Sequence, residues 1–223
     1  MSKKATTFIG LTSAVGAVFL ADALSRESRF DNLLAYACYF ALALLTSSWK
    51  VRLPGIHGTM SVNFLFVLIG IAAFSFSETV VLASVACVVQ CFWNTRTRPQ
   101  IIQVVFNVST LAISSGIAYR GAHAITGRYQ DHLPVLLSLA ASLYFASNTL
   151  LVSGVLSLVE SKPLLSVWKQ CYFWSLPYYL VGAAISALIV TSGMTAGWVM
   201  PLAIMPVMWM VYVFYRACAQ RYA

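Results

Sequence analysis

The sequence predicts an all-α, polytopic transmembrane bundle of about eight helices, and three observations carry that prediction. Hydrophobic residues make up 60% of the 223 and charged residues only 9%, where an ordinary soluble domain carries about 25% charged residues. The apolar residues fall in runs separated by short polar stretches, and the mean hydropathy is +0.81. A hydrocarbon core of about 30 Å takes roughly 20 mostly apolar residues per helix. Finally, the basic residues collect in alternate loops. No stretch of about 50 residues is polar enough for a soluble domain, so residues 1–223 read as one integral-membrane domain.

By that length criterion the predicted segments are 8–24, 31–49, 61–76, 79–95, 100–120, 132–157, 165–191 and 196–215. The third and fourth meet at FSFSETV and form a tight helical hairpin, with Ser75 or Ser77 placed to cap the fourth helix and Glu78 in its first turn, where the helix dipole favours negative charge. Pro177 falls inside the seventh segment, and Pro201 and Pro206 inside the eighth, each removing a backbone hydrogen bond that neighbours must replace. The pairs Ala17/Ala21 and Ala37/Ala41 offer small surfaces for close helix contact.

Eight crossings put the termini and the even-numbered loops on one side. That side holds ten basic residues, Lys3, Lys4, Lys50, Arg52, Arg96, Arg98, Lys162, Lys169, Arg216 and Arg221, against four on the other, Arg26, Arg29, Arg120 and Arg128. The positive-inside rule then makes both termini cytoplasmic, in a bacterial inner membrane. A seven-helix count would scatter the asymmetry. The amino-terminal run is followed by Asp22, Arg26, Glu27 and Arg29 and then by another apolar segment, so it is expected to be a retained helix and not a cleaved signal.

The net charge of +8 comes from basic residues spread thinly, with no stripe or aromatic-interleaved patch, so nucleic acid is not an expected partner. The lipid bilayer is. The five cysteines, Cys38, Cys87, Cys91, Cys171 and Cys218, all lie in apolar surroundings and read as small buried hydrophobes; no metal or other cofactor is expected. His57, His123 and His132 fall in predicted loops, no carboxylate stands mid-segment, and no nucleophile elbow, zinc-binding helix, paired aspartate motif or phosphate loop occurs. An enzyme is therefore not expected.

Uncharged polar side chains inside the segments are the more informative ones, because in lipid each needs a partner or a cavity. Asn63 opens the third segment and Gln90 lies near the end of the fourth. Gln103 and Asn107 are four apart, so their amides share a face of the fifth helix with Ser114 near the same stripe, and Asn148 is central in the sixth. Hydrogen bonds between helices explain them all; alternatively Asn63, Gln90, Gln103 and Asn107 wall a cytoplasmic pocket with His57 and Arg52 at its mouth. The aromatic run QCYFWSLPYYL, residues 170–180, either joins an interfacial belt and the core or lines a site for a flat or lipidic ligand. The stretch TSSWKVRLPGIHGTMSVN is longer than a hairpin turn needs. It reads as a plain cytoplasmic loop anchored by Trp49, Lys50 and Arg52, or as a loop folded back to close that pocket.

WKVRLPG followed by GTMSVNFLFVLIGI and, later, RTRPQIIQVVFNVSTLAISSGIAYR resembles the integral-membrane sensor modules that precede diguanylate cyclase and HD-type cyclic-di-GMP phosphodiesterase domains in bacteria. Leu53, Pro54, Gly55, Ser61, Asn63, Arg98, Phe106 and Asn107 carry the match, which covers roughly residues 49–120. The resemblance implies a non-enzymatic module that senses a small-molecule ligand. Because no output domain follows the last apolar segment, it also implies a separate cytoplasmic signalling partner. The chain is more loosely similar to the vitamin-binding components of energy-coupling-factor transporters, which would make it a small-molecule transport component with a transport partner; an intramembrane lipid-modifying enzyme is the third reading.

Overall fold

A computed structural model describes residues 3–26, 32–47, 50–52, 59–61, 63–93, 98–127, 132–171, 175–196, 209 and 213. Among the described residues eight helices and one small β-hairpin follow one another: α1 (Lys3–Ser25), α2 (Leu33–Thr46), β1 (Lys50–Arg52), β2 (Thr59–Ser61), α3 (Phe64–Ala73), α4 (Phe76–Phe92), α5 (Ile101–Thr126), α6 (Leu133–Glu160), α7 (Leu164–Cys171) and α8 (Leu176–Ala196).

Local chemistry sets the helix ends. The Asn32 side chain accepts the Ala35 amide at 3.0 Å and starts α2. Ser75 and Glu78 form a reciprocal capping box at α4: the Ser75 amide donates to the Glu78 carboxylate at 2.7 Å, and the Glu78 amide to the Ser75 hydroxyl at 3.3 Å. The expected tight α3–α4 hairpin with Ser75 as its cap is therefore present. α5 stops at Gly127, where φ is 70° and a side chain would be strained, and α6 begins with Pro134 in its first turn, where no amide hydrogen is needed.

α3 is the centre of the molecule. Every residue from Phe64 to Ile71 is buried, so this short helix is apolar on all sides and packs against α2, α4, α6 and α8. The longer α5 and α6 lie antiparallel to each other, and α1 crosses α5, where Gly16 comes so close to Ser109 that a Cβ at Gly16 would lie 2.4 Å from the Ser109 Cβ. Gly16 makes the close approach that the alanine pairs were expected to make. Ala17, Ala21, Ala37 and Ala41 are exposed.

The fold class stands, but the helices are not the eight that hydropathy outlines. The segment 165–191 is two helices, α7 and α8, and Pro177 stands in the first turn of α8 and not in a helix interior. Segment 196–215, with Pro201 and Pro206, lies outside the described residues apart from Ala196, Trp209 and Val213. Among the described residues three helices are long and apolar enough to cross a membrane, Lys3–Ser25, Ile101–Thr126 and Leu133–Glu160, while Leu33–Thr46, Phe64–Ala73 and Phe76–Phe92 are shorter apolar helices. Hydropathy windows measure apolar length. They do not register where the backbone leaves the helix, and here it does so at the hairpin between α2 and α3.

In that hairpin β1 and β2 pair antiparallel, with Lys50 opposite Ser61, Val51 opposite Met60 and Arg52 opposite Thr59. Part of the stretch read as a plain or folded-back loop is thus regular strand. Residues 53–58 lie outside the described residues.

Candidate ligand site at the hairpin end

Both feet of the hairpin are tied to the bundle by buried polar side chains. The Asn63 amide nitrogen donates to the Ser47 hydroxyl at 2.8 Å, and the Thr46 hydroxyl lies 3.4 Å from the Asn63 amide oxygen while also donating to the Leu42 carbonyl at 2.9 Å. The Ser47 hydroxyl is 2.7 Å from the Ala43 carbonyl and 3.2 Å from the Ala86 carbonyl, so its proton is shared between α2 and α4. Thr46 and Ser47 are fully buried and Asn63 is 6% exposed. In such surroundings an unmatched polar atom costs about 1–3 kcal/mol, so the three side chains hold one another in place.

A second contact fixes how deep this knot lies. The Asn107 amide of α5 donates to the Cys91 sulfur of α4 at 3.7 Å. Asn107 is six residues into α5 and Cys91 five residues beyond Ala86. At 1.5 Å per residue, Ser47 and Asn63 lie roughly 16 Å along the helix axes from the first residue of α5. The strands that follow Ser47 and precede Asn63 therefore start well inside the bundle. Together they form a two-stranded sheet, whose outer edges have no ladder partner among the described residues.

The other expected site residues lie around this region in different roles. Gln103 is exposed, and its side-chain oxygen accepts the Gln100 amide at 3.2 Å, closing the first turn of α5. Gln90 is half-buried on α4, next to Cys91. Asn107 thus meets α4 at Cys91, and the Asn63–Ser47 pair meets it five residues away, at Ala86 through Ser47. Arg52 is the last residue of β1, and His57 lies outside the described residues. Asn148 interacts with the Tyr179 hydroxyl, joining α6 to α8.

An aromatic cluster stands beside the knot. The Phe64 ring is 4.6 Å from Tyr178 and 4.9 Å from Tyr179, which in turn is 5.3 Å from Phe145 and 6.1 Å from Tyr144. Gly182 makes room for it, since a Cβ there would fall 2.3 Å from Phe64. Trp168 donates its indole N–H to Thr149 at 2.9 Å and faces Phe145. Tyr178 and Tyr179, the described tyrosines of the aromatic run, are therefore part of the core.

At the opposite end of the bundle lies a network that residue-by-residue reading missed. Asp22 of α1 pairs with Arg26 at 3.1 Å through one carboxylate oxygen and with Arg120 of α5 through the other. The Arg120 and Arg26 guanidinium groups lie 4.4 Å and 5.4 Å from the centre of the Phe76 ring. Ser77 donates to the Ala23 carbonyl at 2.6 Å, and Tyr36 and Tyr119 donate to the carbonyls of Glu78 and Phe74, each at 3.2 Å. His123, expected in a loop, is in the last turn of α5 and stacks on Tyr119. One signal was available: the alternating topology already assigns Asp22 and Arg120 to the same side. A shallow open groove along α6, lined by Pro134, Val135, Ser138, Leu139 and Ser142, contains none of the expected site residues.

No curated protein and no solved structure matches the chain. One family model does, over residues 18–213, which takes in nearly every element described above, including the hairpin and the polar knot at its feet. The chain therefore belongs to the MASE9 family, a family of membrane-associated sensor domains.

Proposed function

We propose that the chain is a multi-pass sensor of the bacterial inner membrane, with the hairpin end facing the cytoplasm. In this reading a small molecule binds between Asn63, Gln90, Gln103 and Asn107, with Arg52 and His57 at the mouth, and its occupancy is passed to a cytoplasmic partner of the cyclase or phosphodiesterase type. The observation that carries it is the depth of the hairpin's feet. Non-helical backbone at membrane depth is tolerated only where protein buries it or a water-filled cavity meets it, so the open strand edges call for polar partners that lipid cannot supply. A ligand entering from the basic side of the bundle can supply them. The distribution of ten basic residues against four supports that orientation.

The signalling step follows from the knot. Asn63 holds the start of α3 to the end of α2 through one amide, and the Ser47 hydroxyl carries the tie on to α4. A ligand that takes over those hydrogen bonds releases the start of the central helix. Binding then favours whichever arrangement of α3 satisfies the ligand, and the shift is limited to the difference in affinity between the two arrangements.

Small molecules and proteins retained through gentle detergent purification, identified by mass spectrometry, test the reading directly. The expected result is a bound metabolite whose thermal stabilisation disappears in Asn63→Leu and Asn107→Leu, together with a co-purifying cyclase or phosphodiesterase. Unchanged stabilisation in both variants overturns the site, and a co-purifying ATPase points instead to transport. Reporter fusions after Lys162 and at the C-terminus should both read cytoplasmic.

A further inference from the structure

Cys87 and Cys91 sit four residues apart on α4, so their side chains share one face. Cys87 is 3% exposed and Cys91 is half-buried. Asn107, exposed on α5, spends its amide on the Cys91 sulfur instead of on a backbone carbonyl. Because Asn107 meets Cys91 and the helices run antiparallel, the register carries Thr110 to the level of Val88, one residue from Cys87, and Ser114 to the level of Ser84. Both hydroxyls are buried, Thr110 at 2% and Ser114 at 0% exposure, and both lack a hydrogen-bond partner. The two residues continue the stripe of Gln103 and Asn107 along one face of α5.

Small-hydrophobe packing accounts for the cysteines alone. It leaves unexplained an amide aimed at sulfur and two unmatched hydroxyls along the same seam. A disulfide is ruled out, since side chains four apart on a helix hold their Cβ atoms about 5–6 Å apart, beyond the roughly 3.5–4.5 Å that a disulfide spans. Among the described residues no cluster of three His, Cys, Asp or Glu forms, so they hold no four-coordinate zinc site of those ligands. Two thiolates without a third ligand suit a soft monovalent ion in linear coordination, with the sulfurs about 4.6 Å apart, twice a metal–sulfur bond of about 2.3 Å. Side chains four apart on a helix, with Cβ atoms about 5–6 Å apart, reach that sulfur separation by side-chain rotation.

We propose that Cys87 and Cys91 form a two-thiolate site for a soft monovalent metal ion, Cu(I) or Ag(I), with Asn107 as its outer hydrogen-bond donor and Thr110 as a second donor one residue from the level of Cys87. Binding exchanges two S–H bonds for two metal–sulfur bonds and releases two protons, with no change of oxidation state. The complex carries one net negative charge, which the Asn107 N–H and the unpartnered Thr110 O–H would stabilise. Gln103 and Asn107, exposed at the start of α5, mark the way in. The site shares Asn107 with the reading above but does not rest on it, because a chain that binds no metal can still sense another molecule.

The test uses the full chain in detergent with Cys38, Cys171 and Cys218 replaced by serine, titrated with Ag(I) and followed by thiolate-to-metal charge-transfer absorption in the ultraviolet. One equivalent should bind and should protect Cys91 from alkylation by a maleimide. Cys87→Ser and Cys91→Ser should each abolish the stoichiometric binding, and Asn107→Leu, which leaves both thiols in place, should weaken it about 10-fold, as loss of an outer hydrogen bond does at metal sites. Thermal unfolding and gel filtration of the metal-free variants report whether they fold. Absence of stoichiometric Ag(I) binding by the folded parent, or equal binding by a folded Cys87→Ser variant, overturns the proposal.

Discussion

The two ends of the bundle are held together by different chemistry. At the Asp22 end the ties are charged and aromatic: one carboxylate between two arginines, both arginines against Phe76, and a closed capping box at the α3–α4 turn. At the hairpin end the ties are neutral: amides, hydroxyls and thiols, with buried hydroxyls left unmatched. The first arrangement satisfies its groups independently of any ligand, whereas the second is strong at Asn63 and incomplete at Thr110 and Ser114. On the reading proposed above, the hairpin end is the one that answers a ligand, because its hydrogen bonding is incomplete.

The largest effect should come from the waist that joins the two ends. Gly16→Val sets a branched side chain against the Ser109 backbone, whose Cα lies 2.5 Å from where a Cβ would stand, so α1 must move away from α5. Overpacking of this kind costs about 3 kcal/mol, and thermal unfolding in detergent should show both ends loosening together. Survival of the parent melting temperature would mean that the ends are not coupled through this crossing. Asn63→Leu is next, at about 2 kcal/mol, because it removes two buried side-chain hydrogen bonds and leaves the Ser47 and Thr46 hydroxyls only their backbone carbonyl partners. Its hydrogen-exchange signature should be confined to α2, α3 and the hairpin, with the Asp22 end unchanged; equal loosening at both ends would erase the contrast.

How much of this was legible beforehand depended on whether the cause was local. The Ser75–Glu78 box could be read because its partners are three residues apart, and the Gln103–Asn107–Ser114 stripe because helical periodicity alone creates it. The knot was half legible: Asn63 stood out as a polar residue in an apolar run, but Thr46 and Ser47 looked like ordinary ends of a segment until α2 and α3 were brought side by side. The hairpin and the break between α7 and α8 were hidden, since apolar content says nothing about where hydrogen bonds pass from the helix to another partner. The Asp22–Arg120 pair spans 98 residues. Only topology, combined with the charge of each residue, could have pointed to it.

The unmatched hydroxyls give a prediction of opposite sign. Thr110→Val keeps the shape of the side chain and removes a buried polar atom that has no partner, so the variant should be more stable by about 1 kcal/mol, where threonine-to-valine changes at satisfied sites destabilise. A matching Ser75→Ala change at the other end should cost about 1 kcal/mol through loss of the cap. Two substitutions of similar size thus move the melting temperature in opposite directions. If Thr110→Val is destabilising, its hydroxyl has a partner such as an ordered water, and the hairpin end is better satisfied than its side-chain contacts indicate.

The smallest effect is expected where the charges are most visible. Asp22→Asn removes the carboxylate between Arg26 and Arg120, yet the side chains of those arginines are 55% and 48% exposed, so water and salt screen the pairs and the cost should be about 0.5 kcal/mol. Both guanidinium groups keep the Phe76 ring, and Ser77 keeps its bond to Ala23. The loss should shrink further as salt rises, because screening already weakens the parent's pairs. Unfolding measured at low and high salt checks this. A cost above about 2 kcal/mol that is insensitive to salt would show that the carboxylate acts as a buried pivot, and the Asp22 end would then depend on a single group as heavily as the hairpin end depends on Asn63.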